Sequence, residues 1–237
     1  MKPNLNQIKR IAFAALVLAM SVCGRASEHP RLTFVTPSIV RVQWNAHGSA
    51  FDEGNETGVC IYEPQEVKVA RKQRDGKTVY RTSELIVEMD NATGSLVFLD
   101  RKSGKVLLAE NAANPREHEV VAQENVIYDE NSARSVETAN GQVIVKDVLR
   151  RDTISANNRY RSHFSLSADE AIYGLGAHME DYMNLRGKTL YLCQHNLKTM
   201  VPVLLSTAGY GLLFDAGCAM IYSDSLTAGG KSVMTMQ

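Results

Sequence analysis

The sequence predicts an all-β fold, a β-sandwich preceded by a small β module. Three observations carry this. Short runs of β-branched and aromatic residues recur along the chain, separated by glycine-bearing turns. No stretch repeats apolar residues at the three-four spacing of a long amphipathic helix. Between Ile172 and Tyr222, apolar strand-like runs alternate with polar segments that hold His178, Glu180, Asp181, Asn184, Arg186, His195 and Asn196. Loops hung on a rigid β scaffold are where binding residues usually sit.

The first residues stand apart from the fold. Lys2, Lys9 and Arg10 precede the apolar run Ile11 to Val22, and Gly24-Arg25-Ala26 supplies small residues for a peptidase. This is the form of a secretory signal peptide spanning residues 1–26, and we expect a secreted or periplasmic protein. Cys23 offers a rival lipoprotein anchor, but Val22 stands where such a signal requires a small residue.

Leu32 to Val35 and Ile39 to Trp44 are β-favouring runs split by Pro37. Val40, Val42 and Trp44 fall on one face of the second. Ala46 to Gly58 loses all pattern and reads as an exposed loop. Val67-Lys68-Val69 leads to a turn at Asp75-Gly76, and Thr78 to Arg81 then runs towards Leu85 to Met89. Turns at Thr93-Gly94 and Ser103-Gly104 flank Leu96 to Leu99 and Val106 to Leu108, and Asn111 to Pro115 is a loop.

Strand boundaries blur from Glu117 to Glu137. Asn140-Gly141 marks a turn before Val143, and one apolar run continues to Leu149. Arg159 to Leu166 reads as another strand. Ser167-Ala168-Asp169-Glu170 has the form of a capped turn before Ile172. Val201 to Leu205 is apolar on both faces and should be buried somewhere, and an apolar face left exposed would drive association or recruit a partner. After Tyr222 the segment Thr227 to Ser232 and the closing Met-Thr-Met-Gln read as flexible. We expect a β module over residues 27–113 and the sandwich over 114–237.

Composition narrows the function. The chain has 237 residues, and 26 lysines and arginines balance 26 aspartates and glutamates. A net charge of zero gives no reason to expect nucleic acid as a partner, and no apolar run in the mature chain suits a membrane span. Cys60, Cys193 and Cys218 cannot form a closed disulfide set, and their spacing suits no zinc site. They read as buried free thiols. Neither a metal nor another cofactor is expected.

Glu180 and Asp181 are adjacent carboxylates, but no partner is positioned for them and they read as a solvated turn. His178 with Glu180 superficially suits a mutarotase, which needs a histidine and a carboxylate. A second loop would have to converge on them. His178, Asn184 and Arg186 are read as ties between a loop and backbone groups, with sugar contact as the competing role. Glycines 174, 176, 209 and 211 precede β-like runs rather than a helix, so close strand packing explains them better than a phosphate loop.

Three pieces then carry a resemblance, in order: Tyr173-Gly174-Leu175-Gly176 with His178, Asn184 to Thr189, and Val201 to Ser206 running into Gly209 to Phe214. The stretch resembles the N-terminal β-sandwich of glycoside hydrolase family 31, the α-glucosidases and α-xylosidases. The resemblance implies a galactose-mutarotase-like sandwich ahead of a (β/α)8 barrel that carries the nucleophile and acid/base aspartates. We expect neither aspartate here, and a chain truncated at Gln237, before the barrel. The implied role is a non-catalytic, carbohydrate-associated portion of a secreted α-glycosidase. Its partners would be that barrel and an α-glucoside or α-xyloside oligosaccharide. In the family, the loop before the Gly-Tyr-Gly hairpin reaches over the sugar site. The contacting side chain, often an aspartate, falls nearest Asn196, with His195 beside it. The alternative is a stand-alone carbohydrate-binding or periplasmic interaction module.

Overall fold

The computed structural model describes residues 29–46, 66–139, 141–226 and 232–236. The signal-peptide residues with Cys23, then Cys60, Asn140 and the expected loop beyond Ala46 lie outside the described residues. All regular elements described are strands, apart from one 3-10 turn at Glu130–Ser132. The fold is all-β, as the glycine-punctuated runs predict. Among the described residues no helix is long and apolar enough to cross a membrane.

Two compact units are present. One takes the described residues of Met1–Glu117 and Tyr160–Gln237, and the other His118–Arg159.

In the first unit, β1 (Arg31–Thr36) and β2 (Ile39–Gln43) form an antiparallel pair around the turn at Pro37. Next come β3 (Ala70–Arg74), β4 (Lys77–Arg81), β5 (Leu85–Asp90), β6 (Leu96–Asp100) and β7 (Val106–Glu110), an antiparallel meander. Strand β3 corrects the sequence reading, which favoured Val67–Val69. Asp75 and Gly76 both take positive φ, 52° and 76°, the signature of a two-residue hairpin turn. Such a turn pairs its flanking residues directly, Arg74 with Lys77 and Ala70 with Arg81. The ladder therefore forms on the charged run Ala-Arg-Lys-Gln-Arg, whatever its polarity.

The turns after β5 and β6 repeat one design. Asp90 Oδ1 accepts from the backbone N–H of Ala92 and Thr93, at 2.9 and 2.8 Å, and from the Thr93 hydroxyl. Ten residues later Asp100 Oδ1 accepts from the N–H and hydroxyl of Ser103. Aspartate is suited to this because its short side chain reaches backbone donors two and three residues on. The same bonds hold both carboxyls below the usual range.

Strand β8 (Arg116–Tyr128) begins the region where sequence boundaries blur. β9 (Arg134–Thr138) and β10 (Gly141–Val145) form a hairpin in the second unit. β11 (Val148–Leu166) pairs with β8 and contains the run expected from Arg159. The expected apolar run from Val143 to Leu149 is thus two strands. It breaks at Lys146-Asp147, where the Asp147 N–H donates to Ser132 Oγ at 2.7 Å and its carbonyl accepts from Asp129 at 2.9 Å.

The remaining strands are β12 (Ile172–Ala177), β13 (Thr189–Leu192), β14 (Thr199–Ser206), β15 (Tyr210–Leu213), β16 (Met220–Leu226) and β17 (Ser232–Met236). Strand β17 corrects the expectation of a flexible tail at its Ser232–Met236 part. Its backbone is laddered on both sides, to β11 and to β16, and two-sided pairing fixes a strand that has little pattern of its own. The large sheet runs β13-β16-β17-β11-β7-β6-β5-β4-β3, and β12-β14-β15 form a separate sheet.

Two cores result. Leu190, Leu192, Met220 and Tyr222 of the large sheet meet Ile172, Leu175 and Leu204 of the small one, which makes the sandwich. Leu85, Val87, Met89 and Leu96 are covered by Leu32, Phe34 and Val40 from β1 and β2. A buried ion pair braces the second core. The guanidinium of Arg116 meets the Glu110 carboxylate, which also accepts from Leu96 N–H at 2.9 Å. Burial pushes the Glu110 carboxyl up, against the pull of Arg116.

Cys218 is exposed and Cys193 half-buried, not the buried thiols expected. Both fall in connections outside the strands, where no core surrounds them.

Candidate functional site

Two loops flank β13, one between β12 and β13 and one between β13 and β14. They hold every polar candidate of the sequence. Their geometry starts from β12, where Gly174, Leu175 and Gly176 all take positive φ. Pairing with β14 slips between Gly174 and Gly176, a bulge that turns Leu175 fully inward. A Cβ on Gly176 would lie 1.9 Å from the Thr199 carbonyl oxygen. Only glycine permits this approach, so close strand packing is the reason for the paired glycines.

The first loop is tied down throughout. Asn184 Oδ1 accepts from the N–H of Ile172 and of Arg186, each at 3.2 Å. Arg186 Nε donates to Asp224 Oδ2 at 2.9 Å, and its Nη1 donates to the carbonyls of Ser167, at 2.8 Å, and Glu170. Asp224 Oδ2 also accepts from Gly187 N–H at 2.6 Å. His178 is buried, and its Nε2–H donates to the Leu175 carbonyl at 2.7 Å. These three side chains bind the loop to backbone groups, the first of their two expected roles. With His178 held this way, the His178–Glu180 pair is not arranged for proton transfer.

Glu170 anchors the other end of the network. Its Oε2 accepts from Ser167 N–H at 3.0 Å and from the Ser167 hydroxyl at 3.3 Å. This is the reciprocal bond of a helix cap, made here without a helix. Its Oε1 accepts from Tyr210 Oη at 2.6 Å and from Ser206 Oγ. Burial, with the Glu170 carboxylate beside it, drives the Tyr210 phenol far above its usual range. Burial and Asp224 do the same to Tyr222, whose hydroxyl donates to the Leu185 carbonyl at 3.2 Å. Sequence reasoning found Ser167 and Glu170 as a cap but missed Asp224 and Tyr210, which reach the network from distant strands.

The second loop is a turn. Lys198 N–H donates to the His195 carbonyl at 3.2 Å. Gln194 closes its base, its Oε1 accepting from Met200 N–H at 3.1 Å and its Nε2 donating to the Lys198 carbonyl at 2.6 Å. His195, Asn196 and Leu197 are exposed at the tip. His195 Nδ1–H donates to the Asn196 carbonyl at 2.9 Å, leaving Nε2 to solvent. No side chain or backbone group among the described residues engages the Asn196 amide. Leu197 takes a left-handed φ of 66°, which an apolar side chain adopts only where the surroundings enforce it. Lys198 Nζ lies 3.8 Å from Glu180 Oε1, so a weak ion pair links the two loops.

Beside them, the outward face of the small sheet is apolar. Tyr173 pairs with Leu205, and Val203 with Leu213. Leu205 is 58% exposed, and Tyr173, Val201 and Leu213 are also exposed. Leu204 faces the core and is fully buried, while Val201 and Leu205 on the other face are exposed, as expected of an apolar face left for a partner.

A family model, the glycosyl hydrolase 31 N-terminal galactose mutarotase-like domain, matches residues 30–221. The chain belongs to this family. Its fold is that of the family-31 N-terminal domain. An uncharacterized family 31 glucosidase, ORF2, of Pseudescherichia vulneris is 36% identical over 52 residues, which is 22% of this chain and 10% of that protein. The family 31 α-xylosidase of Xanthomonas citri matches with a TM-score of 0.56 and 23% identity, over 86% of this chain and 20% of its own. A family 31 dextranase of Flavobacterium johnsoniae, solved with glucose, matches with a TM-score of 0.58 and 18% identity, over 86% of this chain and 22% of its own. At these identities the structural likeness shows the fold alone. The family-31 domain described here therefore spans about a tenth to a fifth of the length of these relatives.

Proposed function

We propose that this domain is the non-catalytic, carbohydrate-associated part of a secreted family-31 α-glycosidase, working against a (β/α)8 barrel that supplies both catalytic carboxylates. The observation that carries this is the pairing of an apolar outer sheet face with an exposed polar turn. The face of Tyr173, Val201, Leu205 and Leu213 suits a protein partner. The Asn196 amide offers a donor and an acceptor to sugar hydroxyls, and His195 Nε2 stands next to it. The sugar would be an α-glucoside or α-xyloside oligosaccharide. Glu180 and Asp181 are adjacent in one exposed loop, and Glu180 is engaged with Lys198 at 3.8 Å.

The test is an assay of purified Ser27 to Gln237 alone and joined to a family-31 barrel. Alone, it should hydrolyse no α-glucoside or α-xyloside above background. Turnover that survives repurification and disappears in Glu180→Ala or Asp181→Ala overturns the reading. Joined to a barrel, Leu205→Asp should separate the two parts on sizing. Tight saccharide binding by the domain alone, with no association to a barrel, favours the stand-alone module instead.

A further inference from the structure

Away from both loops, the edge of the large sheet holds a groove of about 560 Å³, open to solvent and lined by Lys68, Val69, Ala70, Arg81, Thr82 and Arg101. Its volume falls within the roughly 300–1,000 Å³ of small-molecule sites. The lining has cations from separate chain segments and no acid. Lys68 precedes β3, Arg81 ends β4, and Arg101 opens the turn after β6. Cross-strand partners share a face, so Arg81 sits beside Ala70, whose small side chain leaves the hollow.

The floor is rigid. Thr82 is buried, its Oγ1 donating to the Pro37 carbonyl at 2.5 Å and accepting from Leu85 N–H at 2.8 Å. Arg101 N–H donates to the Glu84 carbonyl at 2.8 Å, which holds the β6–β7 turn against this floor.

All three cationic side chains are exposed, and none has an ion-pair partner among the described residues. Of the acids nearby, Asp100 is engaged by Ser103 and Glu88 by Lys77 at 2.9 Å, while Glu66 and Glu84 are exposed and make no ion pair with these cations among the described residues. Charge on an edge strand guards against strand pairing, and that accounts for Lys72 and Arg74 of β3. It does not account for Arg101, which comes from beyond β6. Lysine and arginine from three separate segments thus line one hollow, and the arginine fork is shaped for paired oxyanions.

We propose that this groove binds a small ligand carrying two or more oxyanion groups, whether carboxylate, sulfate or phosphate. The site is separate from the sugar turn and does not depend on the role assigned to it.

Calorimetric titration of the whole chain at low ionic strength tests this, with citrate, pyrophosphate and a sulfated disaccharide as probes and maltose as the neutral control. At least one anion should bind, and the tightest names the source of the oxyanions. Binding should weaken at least about tenfold in Arg81→Gln/Arg101→Gln, the loss expected for charged hydrogen bonds. Lys146→Gln, outside the groove, should leave it unchanged. Both arginines are exposed and have no ion-pair partner among the described residues, so melting temperature should not move; were it to fall, Arg101→Gln alone carries the test. The proposal is overturned if no anion binds, if the arginine variants bind as well as the parent, or if Lys146→Gln weakens binding equally.

Discussion

The loops on either side of β13 are made of similar residues and behave oppositely. In the first, Asn184, Arg186 and His178 are each bonded to backbone or carboxylate groups of the fold. In the second, Asn196 and the Nε2 of His195 face solvent. The difference lies in what surrounds them. The first loop returns to the start of β12, where the N–H of Ile172 and the carbonyls of Ser167 and Glu170 need partners. The second is a tight turn whose own backbone bonds are closed by Gln194, so its tip is left over for something else. A polar residue's role here follows from the local supply of unpaired backbone groups, not from its type.

The sharpest way to break this contrast is Arg186→Met. It removes the guanidinium that pairs with the buried Asp224 carboxylate. We expect a loss of about 3 kcal/mol, the usual cost of removing one partner of a buried pair, read as a shift in the denaturant midpoint. A change no larger than that of an exposed arginine would mean that the network is not structural.

Tyr210→Phe removes one donor from Glu170 Oε1 and should cost about 1–2 kcal/mol, since the bond is to a charged group. The same variant has a pH signature. The folded-state pKa of Tyr210 and Tyr222 is raised above the unfolded value. Their contribution is therefore fully present below the ordinary tyrosine value of about 10 and is lost as pH rises beyond it. Melting temperature should fall above about pH 10, and less steeply in Tyr210→Phe. An identical slope in the two proteins would contradict the assignment of the Tyr210 bond.

The smallest effect is expected in the second loop. Asn196→Ala should change stability by no more than about 0.5 kcal/mol. When the chain is joined to a family-31 barrel, the proposed sugar-contacting role of this turn predicts that the same change weakens sugar contact by roughly 0.5–1.5 kcal/mol, mainly in KM if the contact is equal in ground and transition states. A lowered melting temperature with unchanged kinetics would make Asn196 a structural turn residue, like its counterparts across β13.

Much of this architecture is written in local chemistry. Asp75-Gly76, Thr93-Gly94 and Ser103-Gly104 announce their hairpins because the required backbone conformations suit few other residues. The alternation of Leu85, Val87 and Met89 marks a strand with one buried face. Gly174 and Gly176 announce close backbone approach before any partner strand is known. The family resemblance rests on the same local signals, and the choice of Asn196 as an exposed loop residue rested on that resemblance. Tertiary structure decided what local chemistry leaves open. Strands β3 and β17 exist because a partner's ladder holds them, against the weak preferences of their own residues. Arg186 and Asp224, and Glu170 and Tyr210, meet only once the sandwich closes, since nothing near them in sequence specifies the other. The run from Val201 to Leu205 is apolar on both sides as a sequence. Which side is core and which is left bare is settled by where the opposing sheet lies, because a strand offers two faces and burial depends on what is stacked against each.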